Sequence, residues 1–287
     1  MLGKVIGVAS IKGGVAKTAS AIEIAAALTE LDCRVLVIDI DPQCDLSEAI
    51  GVPVKTQHLQ EQSEGISAKK ENRQPDPAKS KSIKTLMDVM TNKCQIADAI
   101  QQTKWFDIIP GDPGLYMCDV LFPGSDDIYI LNDICDLLKP YYDFIIIDSH
   151  PTKNLLLNML YVASDYMIVS SLADDSSMDG VVSLERDLKE LRDSRNHYSH
   201  AHILTVILSR FKTNDSTCIR AVNSLTEIVP LLGSDAFFDT VRESNRISMV
   251  RDHKEPVQAF EHYNNAATDY RRIAKKIKEA CSHGENK

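Results

Sequence analysis

The sequence has no run of 18 apolar residues, so it offers no segment long enough to form a membrane-spanning helix. Its first residues lead directly into an apolar, strand-like segment and show no signal-peptide pattern. We therefore expect a soluble protein of the cytoplasm. With 287 residues, of which 44% are hydrophobic, the chain is long enough to bury a substantial core.

The sequence also lacks the residue spacings that hold structural metals. Its seven cysteines are scattered, with no pair separated by two residues and no histidines at ligand spacing. This usage fits a reduced compartment better than a disulfide framework. His197, His200 and His202 are close in sequence, but they lie in a polar connection without an evident carboxylate ligand. We expect no zinc or iron–sulfur centre, although inspection alone leaves Cys118 and Cys135 open as cluster ligands.

The sequence also has fewer basic than acidic residues. The chain has 32 Lys and Arg residues against 41 Asp and Glu residues, which gives a formal net charge of −9. Binding to nucleic acid depends on the neutralisation of phosphates by Lys and Arg. Any DNA contact must therefore come from a local basic patch, or from a patch that dimerisation completes.

An apolar run near the amino terminus ends in a glycine-rich turn. Gly13 and Gly14 are followed by Lys17 and Thr18. The glycines let several backbone N–H groups approach a polyphosphate, and a helix that begins here adds the positive end of its dipole. A lysine at this position reaches the β- and γ-phosphate oxygens, and the threonine hydroxyl binds Mg²⁺. The pattern predicts a strand, a phosphate-binding loop and a helix over residues 18–31.

Two further apolar runs end in carboxylates. Residues 34–38 precede Asp39 and Asp41, and residues 142–147 precede Asp148. Continuous apolar runs of this length are typical of buried parallel strands, and open α/β sheets bind their ligands at the carboxyl ends of such strands. We therefore expect these carboxylates to lie beside the phosphate-binding loop, where they serve Mg²⁺ and a water molecule.

Together these segments resemble the ParA/MinD family of P-loop ATPases. The loop over residues 12–18 is similar to the deviant phosphate loop of that family, which carries an extra lysine near its start. Further matches follow in the same order at residues 39–43, at 148–158 and in the closing segment 241–278. The resemblance is to the short, Soj-like kind and covers nearly the whole chain apart from residues 52–84.

The resemblance implies the roles of individual residues. Lys12 and Asp41 are the implied catalytic residues: Lys12 contacts the phosphates of a partner subunit across an ATP sandwich, and Asp41 orients the attacking water. The implied ligands of Mg²⁺ are Thr18, Asp39 and Asp148. The implied nucleotide-binding residues are Lys12, Gly13, Gly14, Val15, Ala16, Lys17, Thr18, Ala19 and Arg210.

Three positions depart from the family pattern. Ala16 stands where glycine is usual and adds a methyl group beside the phosphates. Asp45, where relatives commonly have asparagine, is either a third carboxylate of the site or the N-cap of the helix that follows. His150, where proline is common, is either a titratable ring beside the γ-phosphate or a tolerated turn substitution.

Apolar strands alternate with helical segments along the chain. We therefore expect an α/β fold, with a doubly wound, mostly parallel sheet and helices on both faces, in a single domain over residues 1–287. Residues 52–84 are rich in Gln, Glu, Lys and Ser and poor in apolar residues. This composition predicts a flexible basic insertion, after which regular structure resumes at Thr85. An amphipathic helix is predicted over residues 127–138.

The resemblance implies an ATPase that acts as a dimerisation switch. The ATP-bound homodimer binds DNA non-specifically, hydrolysis releases it, and a ParB-like adaptor at a centromere-like site stimulates hydrolysis during plasmid or chromosome partition. No membrane contact is expected. A MinD-like or cargo-positioning ATPase remains the main alternative, and an enzyme proper, such as an amidoligase, is a second one. The candidate DNA-contacting residues are Lys189, Arg192, Arg220, Arg271, Lys275 and Lys276.

Overall fold

In the computed structural model, one sheet of eight strands forms the middle layer of the molecule. The structure describes residues 2–10, 14, 16–70, 73–74, 83–172 and 175–283, and their side chains except at 175–177 and 283. The strands are β1 (Lys4–Ala9), β2 (Val35–Asp39), β3 (Gln101–Gln102), β4 (Asp107–Ile109), β5 (Phe144–Asp148), β6 (Tyr166–Leu172), β7 (His202–Phe211) and β8 (Phe237–Arg242).

The strands lie in the order β3-β4-β2-β5-β1-β6-β7-β8. Neighbouring strands are parallel except for β3, which pairs antiparallel with β4. The chain therefore builds one half of the sheet on each side of β1, and the carboxyl ends of β1, β2, β5, β7 and β8 meet at one edge. This arrangement confirms the predicted doubly wound, mostly parallel α/β fold, and the edge is where such folds bind ligands.

Helices cover both faces of the sheet. The described helices are α1 (Lys17–Glu30), α2 (Asp45–Ala49), α3 (Val54–Lys70), α4 (Leu86–Met90), α5 (Ile96–Ala99), α6 (Cys118–Leu121), α7 (Ile130–Leu138), α8 (Leu155–Ala163), α9 (Asp175–Asp193), α10 (Ser216–Leu232), α11 (Val250–His253), α12 (Val257–Phe260) and α13 (Asn265–His283).

Each face of the sheet has its own core because successive side chains of a strand point to opposite faces. Val5 of β1 belongs to the core that α4, α7, α8, α9 and α10 cover. Ile6, the next residue, belongs to the core that α1, α12 and α13 cover. Strands β1, β2 and β5 are buried over nearly their whole length, as their continuous apolar runs predict.

The segment predicted as a flexible insertion is partly helical. Residues 54–70 form α3, and this helix buries only Val54 and Ala68. The low apolar content therefore correctly indicates that the segment adds little to the core, but it does not prevent a helix, because Gln, Glu and Lys are good helix formers. Residues 71–72 and 75–82 of the same segment lie outside the described residues.

One predicted helix start was wrong, and one of the two roles left open for Asp45 is ruled out. The helix predicted over residues 127–138 is a 3-10 turn over Ser125–Tyr129 followed by α7. Asp45 is the first residue of α2 and does not cap it; Cys44 precedes it with a φ of 50°. Within the described part of the chain, no helix is long and apolar enough to cross a membrane.

Candidate functional site

A cleft of about 580 Å³ opens at the carboxyl edge of the sheet. The start of α1 and the segments after β2 and β5 line the part of it beside β1, and the ends of β7 and β8 with the segment after β8 line the part farther along the sheet. The residues that line it are Ser10, Gly14, Ala16, Lys17, Thr18, Ala19, Asp41, Gln43, Asp45, His150, Pro151, Ser209, Arg210, Val241, Arg242, Glu243, Ser244, Asn245, Ile247, Ser248 and Tyr270.

One carboxylate joins the phosphate-loop end of the cleft to the sheet. Asp148 ends β5 and is fully buried. Its Oδ1 accepts a hydrogen bond from Lys17 Nζ at 2.9 Å, and its Oδ2 accepts one from Thr18 Oγ1 at 2.8 Å. The structure thus brings together the lysine, the hydroxyl and the carboxylate that the sequence predicts. This donor set, an ammonium group beside hard oxygen ligands, suits a phosphate chain with Mg²⁺.

The loop before α1 has a left-handed backbone at two positions. Gly14 has a φ of 78°, and a Cβ built on it would meet no atom within 4 Å, so this part of the backbone is open to a ligand. Ala16 has a φ of 62°, a conformation that costs a non-glycine residue about 1–2 kcal/mol. Glycine adopts this conformation without that cost.

Several predicted residues of the loop cannot be placed. Lys12, Gly13 and Val15 lie outside the described residues. Their roles in the loop, including the action of Lys12 on a partner subunit, therefore stay predictions. Gly14, Ala16 and Ala19 line the cleft, and their binding of nucleotide also stays a prediction.

The two carboxylates after β2 have different surroundings. Asp41 lines the cleft, and its Oδ1 accepts a hydrogen bond from the backbone N–H of Gln43 at 2.8 Å. Burial is the largest cause of a raised pKa at Asp41, and Lys17 and His150 act in the opposite direction. Asp41 is thus the carboxylate of this pair that faces the cleft.

Asp39 is fully buried and does not line the cleft. Its Oδ1 accepts from the backbone N–H of Asp41 at 3.1 Å, and its Oδ2 accepts from the backbone N–H and the hydroxyl of Ser47 at 3.0 and 2.6 Å. Burial and the nearby charge of Asp148 raise the pKa of Asp39 to about 7. The structure does not place Asp39 where the prediction of a Mg²⁺ ligand needs it, because its oxygens hold the turn after β2 together.

The far end of the cleft includes the predicted Arg210 and a segment that we did not predict as part of the site. Arg210 is exposed and is the penultimate residue of β7, with a φ of 56°. Residues 241–248 begin at the end of the neighbouring strand β8. The hydroxyl of Tyr270, which also lines the cleft, is 3.0 Å from Ser20 Oγ. A strand predicted over Phe237–Arg242 would have placed this segment at the same edge of the sheet. The mixed polar and apolar sequence of β8 does not indicate a strand.

Asp45, left open as a site carboxylate or a helix cap, forms ion pairs at the rim of the cleft. Its Oδ1 lies 2.9 Å from both Lys55 Nζ of α3 and Arg251 Nη2 of α11. It therefore joins α3 and α11 to the site through its charge.

Three of the six candidate DNA-contacting residues are held in intramolecular contacts. Arg192 pairs with Glu185 and donates to the backbone carbonyl of Ala201. Arg271 pairs with Glu30, and Lys276 donates to Asp239 at 2.8 Å. These side chains join helices to their neighbours, which is a structural role.

The other three candidates are exposed but do not all lie on one face of the sheet. Lys189 is on α9 and Arg220 on α10, and these helices cover the same face of the sheet. Lys275 is on α13, which covers the opposite face, and its Nζ lies 4.0 Å from Glu279. The described part of one chain therefore does not gather these cations into one patch.

No group of three potential metal ligands occurs among the described His, Cys, Asp and Glu side chains. His200 Nε2 lies 3.0 Å from Asp165 Oδ1, whereas His197 Nδ1 contacts the backbone carbonyl of Arg192. Cys118 and Cys135 are free and buried.

Comparisons with known proteins show which family and which chains this sequence is similar to. A family model described as AAA domain matches residues 3–200. The sporulation initiation inhibitor protein Soj of Bacillus subtilis is 23% identical over 280 residues, which cover 96% of this chain and 98% of Soj. The chromosome partitioning protein ParA of Caulobacter vibrioides is 24% identical over 280 residues, which cover 96% of this chain and 93% of ParA.

The fold is also similar to that of a solved structure. An ATP complex of a McdA variant from Cyanothece superposes with a TM-score of 0.73 and 21% identity, over 98% of this chain and 96% of that one. At this identity the likeness is one of fold.

Proposed function

Because the chain belongs to this AAA domain family and is a P-loop ATPase of the ParA/MinD type, we propose that it is an ATP-dependent dimerisation switch that binds DNA and drives plasmid or chromosome partition. The observation that carries the proposal is the contact of Lys17 and Thr18 with Asp148, beside Asp41 in the same cleft. This is a site for ATP and Mg²⁺ with a carboxylate placed to act on water.

The residues of the cleft divide the binding of ATP between its two ends. Lys17 binds the phosphates, and Thr18 and Asp148 hold Mg²⁺, directly or through water. When bound, Mg²⁺ neutralises charge on the phosphates. Arg210 and the segment 241–248 contact the base and the sugar, since they line the end of the cleft away from the loop.

Asp41 orients the water that attacks the terminal phosphate. Its carboxylate is close enough to Lys17 for the two charges to interact, and the N–H of Gln43 holds one of its oxygens in place. A water-positioning group is needed in this chemistry because the protein acts mainly by positioning and by electrostatic stabilisation. Asp39 supports Asp41 by accepting its backbone N–H.

DNA binding needs the dimer in this proposal. The exposed cations Lys189 and Arg220 lie on one face of the sheet and Lys275 on the other, in a chain of net charge −9. A two-fold dimer brings the same face of two chains together and doubles the number of cations that one DNA duplex meets. The ATP-bound form is then the one associated with the nucleoid, and a ParB-like adaptor stimulates its release.

The MinD-like alternative needs an apolar surface for a membrane. The apolar stripe of α13, formed by Tyr270, Ile273, Ala274 and Ile277, is fully buried in the core beside α1. A helix with its apolar face inside the protein cannot insert that face into a lipid interface. This observation favours DNA over a membrane as the surface on which the protein acts.

The test is binding to a non-specific DNA duplex without nucleotide, with ADP–Mg²⁺ and with ATP–Mg²⁺, over a series of salt concentrations. We expect binding with ATP–Mg²⁺ only, with an affinity that falls steeply as salt rises. Asp41→Ala is expected to hold the protein on DNA after ATP is added. The matched control is Asp235→Ala, an exposed carboxylate that precedes β8 at the opposite edge of the sheet.

Two results would contradict the proposal. The first is DNA binding of the same affinity with and without nucleotide, and the second is no DNA binding although ATP still produces a dimer. The second result would direct the search to a protein scaffold as the partner.

A further inference from the structure

His150 lies in the cleft at a position that the resemblance does not explain. It follows Asp148 by two residues at the end of β5, and it lines the same cleft as Lys17 and Asp41. Relatives commonly have proline here, which has no side-chain donor or acceptor. An imidazole at this position therefore gives the chain a hydrogen-bonding group that the family pattern lacks.

Contacts of one ring nitrogen determine what the other can do. The backbone N–H of Thr152 donates to His150 Nδ1 at 3.2 Å, and the Thr152 hydroxyl lies 2.7 Å from the same nitrogen. A nitrogen that accepts an N–H carries no proton of its own, so the proton of the neutral ring is on Nε2. The turn after β5 thus makes His150 a donor through Nε2.

The position of His150 along the cleft identifies the part of the nucleotide that it meets. His150 follows β5, which lies between β1 and β2 in the sheet, so it lines the cleft with Lys17 and Asp41 at the phosphate end. The base end, with Arg210 and residues 241–248, is formed by other strands. Asp41 and Lys17 both serve the terminal phosphate, so the donor beside them faces that group.

We propose that His150 recognises the terminal phosphate of bound ATP, with Nε2–H donating to a γ-phosphate oxygen, and so makes the cleft prefer ATP to ADP. The inference rests on the proposed function, because it needs the cleft to bind ATP–Mg²⁺. A hydrogen bond to a charged oxygen is stronger than one between neutral groups, and ADP has no γ-phosphate to receive it. The preference for ATP is what a switch requires, because the state of the switch depends on that phosphate.

The test compares two variants that separate the two ring nitrogens. His150→Asn keeps an acceptor near the position of Nδ1 for the Thr152 N–H but has no donor near the position of Nε2. His150→Gln is longer and carries its amide donor toward the position of Nε2. The dissociation constants of ADP–Mg²⁺ and of a non-hydrolysable ATP analogue with Mg²⁺ are measured by calorimetry for the wild type and both variants.

We expect His150→Asn to weaken binding of the ATP analogue by roughly ten- to a hundredfold, the range for loss of a hydrogen bond to a charged group, and to leave ADP binding within about twofold. His150→Gln is expected to recover part of the preference. Arg210→Ala is the matched control at the base end of the cleft, and it is expected to weaken both nucleotides by the same factor.

An unchanged ratio of the two affinities in His150→Asn would overturn the inference, and so would an equal loss for both nucleotides, which a role in the turn alone predicts. The readout is the ratio within one variant, so a smaller folded fraction does not change it. His150→Phe, which fills the space of the ring without its nitrogens, provides a second measurement of the same ratio. Failure of the wild type to bind either nucleotide would instead overturn the proposed function itself.

Discussion

At the scale of single residues, Ala16 and Glu23 each have a property that their position disfavours. Ala16 holds a left-handed backbone that suits glycine, at the point where the phosphate loop turns into α1. Glu23, two turns further along α1, is a carboxyl group without solvent exposure. A substitution at each residue should change the free energy of unfolding or its dependence on pH.

Ala16→Gly is expected to stabilise the protein. Removal of the left-handed strain gains about 1–2 kcal/mol, and the greater freedom of glycine in the unfolded chain costs about 0.4–1 kcal/mol. The free energy of unfolding should therefore rise by roughly 0.5–1 kcal/mol, as measured by urea denaturation. Ala19→Gly, inside the first turn of α1, is the control and should lower it by about 1 kcal/mol. Equal signs for the two changes would contradict the role of φ.

Glu23 joins α1 to α12. Its Oε1 accepts the backbone N–H of Val257 at 2.8 Å, and the Gln258 amide donates to its backbone carbonyl at 2.9 Å. Glu23 Oε2 is buried and has no hydrogen-bond partner among the described residues. Burial raises the pKa of Glu23 from 4.5 to about 8. The side chain is thus held mainly in its neutral form at pH 7.

Glu23→Gln should make the stability less dependent on pH. The pKa of Glu23 is higher in the folded than in the unfolded state, so the folded protein keeps a proton that the unfolded chain releases. Its contribution to stability is complete below about pH 4.5 and is lost as the pH rises to about 8.

Denaturation of the wild type between pH 5 and pH 8.5 should show this fall, of at most about 5 kcal/mol from Glu23. Glu23→Gln should show a smaller fall, because it removes the carboxyl group of Glu23. Part of the fall should remain, because Asp39, with its pKa raised to about 7, contributes a dependence of the same sign. Glu227→Gln, at an exposed position of α10, is the control. A Glu23→Gln slope equal to that of the wild type would contradict the assignment.

At the scale of elements, α13 is attached to β8 by an ionic network. Arg272 donates to Asp239 of β8 and to Asp269 of α13, in each case at 2.7 Å. Both carboxylates are largely buried, and burial alone would raise their pKa values. The hydrogen bonds from Arg272, with those from Lys276 and Arg242, outweigh burial and hold both pKa values below their usual range.

Arg272→Ala should lower the free energy of unfolding by about 2 kcal/mol or more, because it leaves two buried carboxylates short of a partner. Lys275→Ala, on the exposed side of the same helix, should change it by less than about 0.5 kcal/mol. The measurement is urea denaturation at pH 7. A loss at Arg272 no larger than that at Lys275 would mean that α13 is held by its apolar stripe alone.

At the scale of the whole molecule, the proposed switch is a change between a monomer and a dimer. Each chain of 31.9 kDa carries a copy of this cleft, and the exposed candidate cations Lys189, Arg220 and Lys275 are divided between two faces. Closure of two chains around ATP is the step that increases the number of cations that can contact one DNA duplex.

The wild type and Asp41→Ala should form dimers with ATP–Mg²⁺ and remain single chains with ADP–Mg²⁺. Lys12→Ala should remain a single chain with either nucleotide, because the resemblance implies that Lys12 acts on the partner's phosphates. Light scattering after size-exclusion chromatography measures the mass directly. A Lys12→Ala dimer with ATP, as stable as that of Asp41→Ala, would remove Lys12 from the interface.

The sequence by itself determined the fold class and the phosphate end of the site. Buried parallel strands have continuous apolar runs, and the ends of such strands must meet at one edge of the sheet. A loop with Lys17 and Thr18 and a strand that ends in Asp148 therefore lie at the same edge of the sheet in a doubly wound fold. Local pattern and topology are sufficient for that conclusion.

Only the tertiary structure decided which side chains are available at the site and on the surface. Asp39 and Asp41 look equivalent in sequence, but Ser47 and the backbone of Asp41 occupy the oxygens of Asp39. Arg271 and Lys276 look like exposed cations, but Glu30 and Asp239, both distant in sequence, pair with them. A hydrogen bond or an ion pair depends on which groups the folded chain brings within about 3 Å, and that distance is not encoded in the spacing of residues along the sequence.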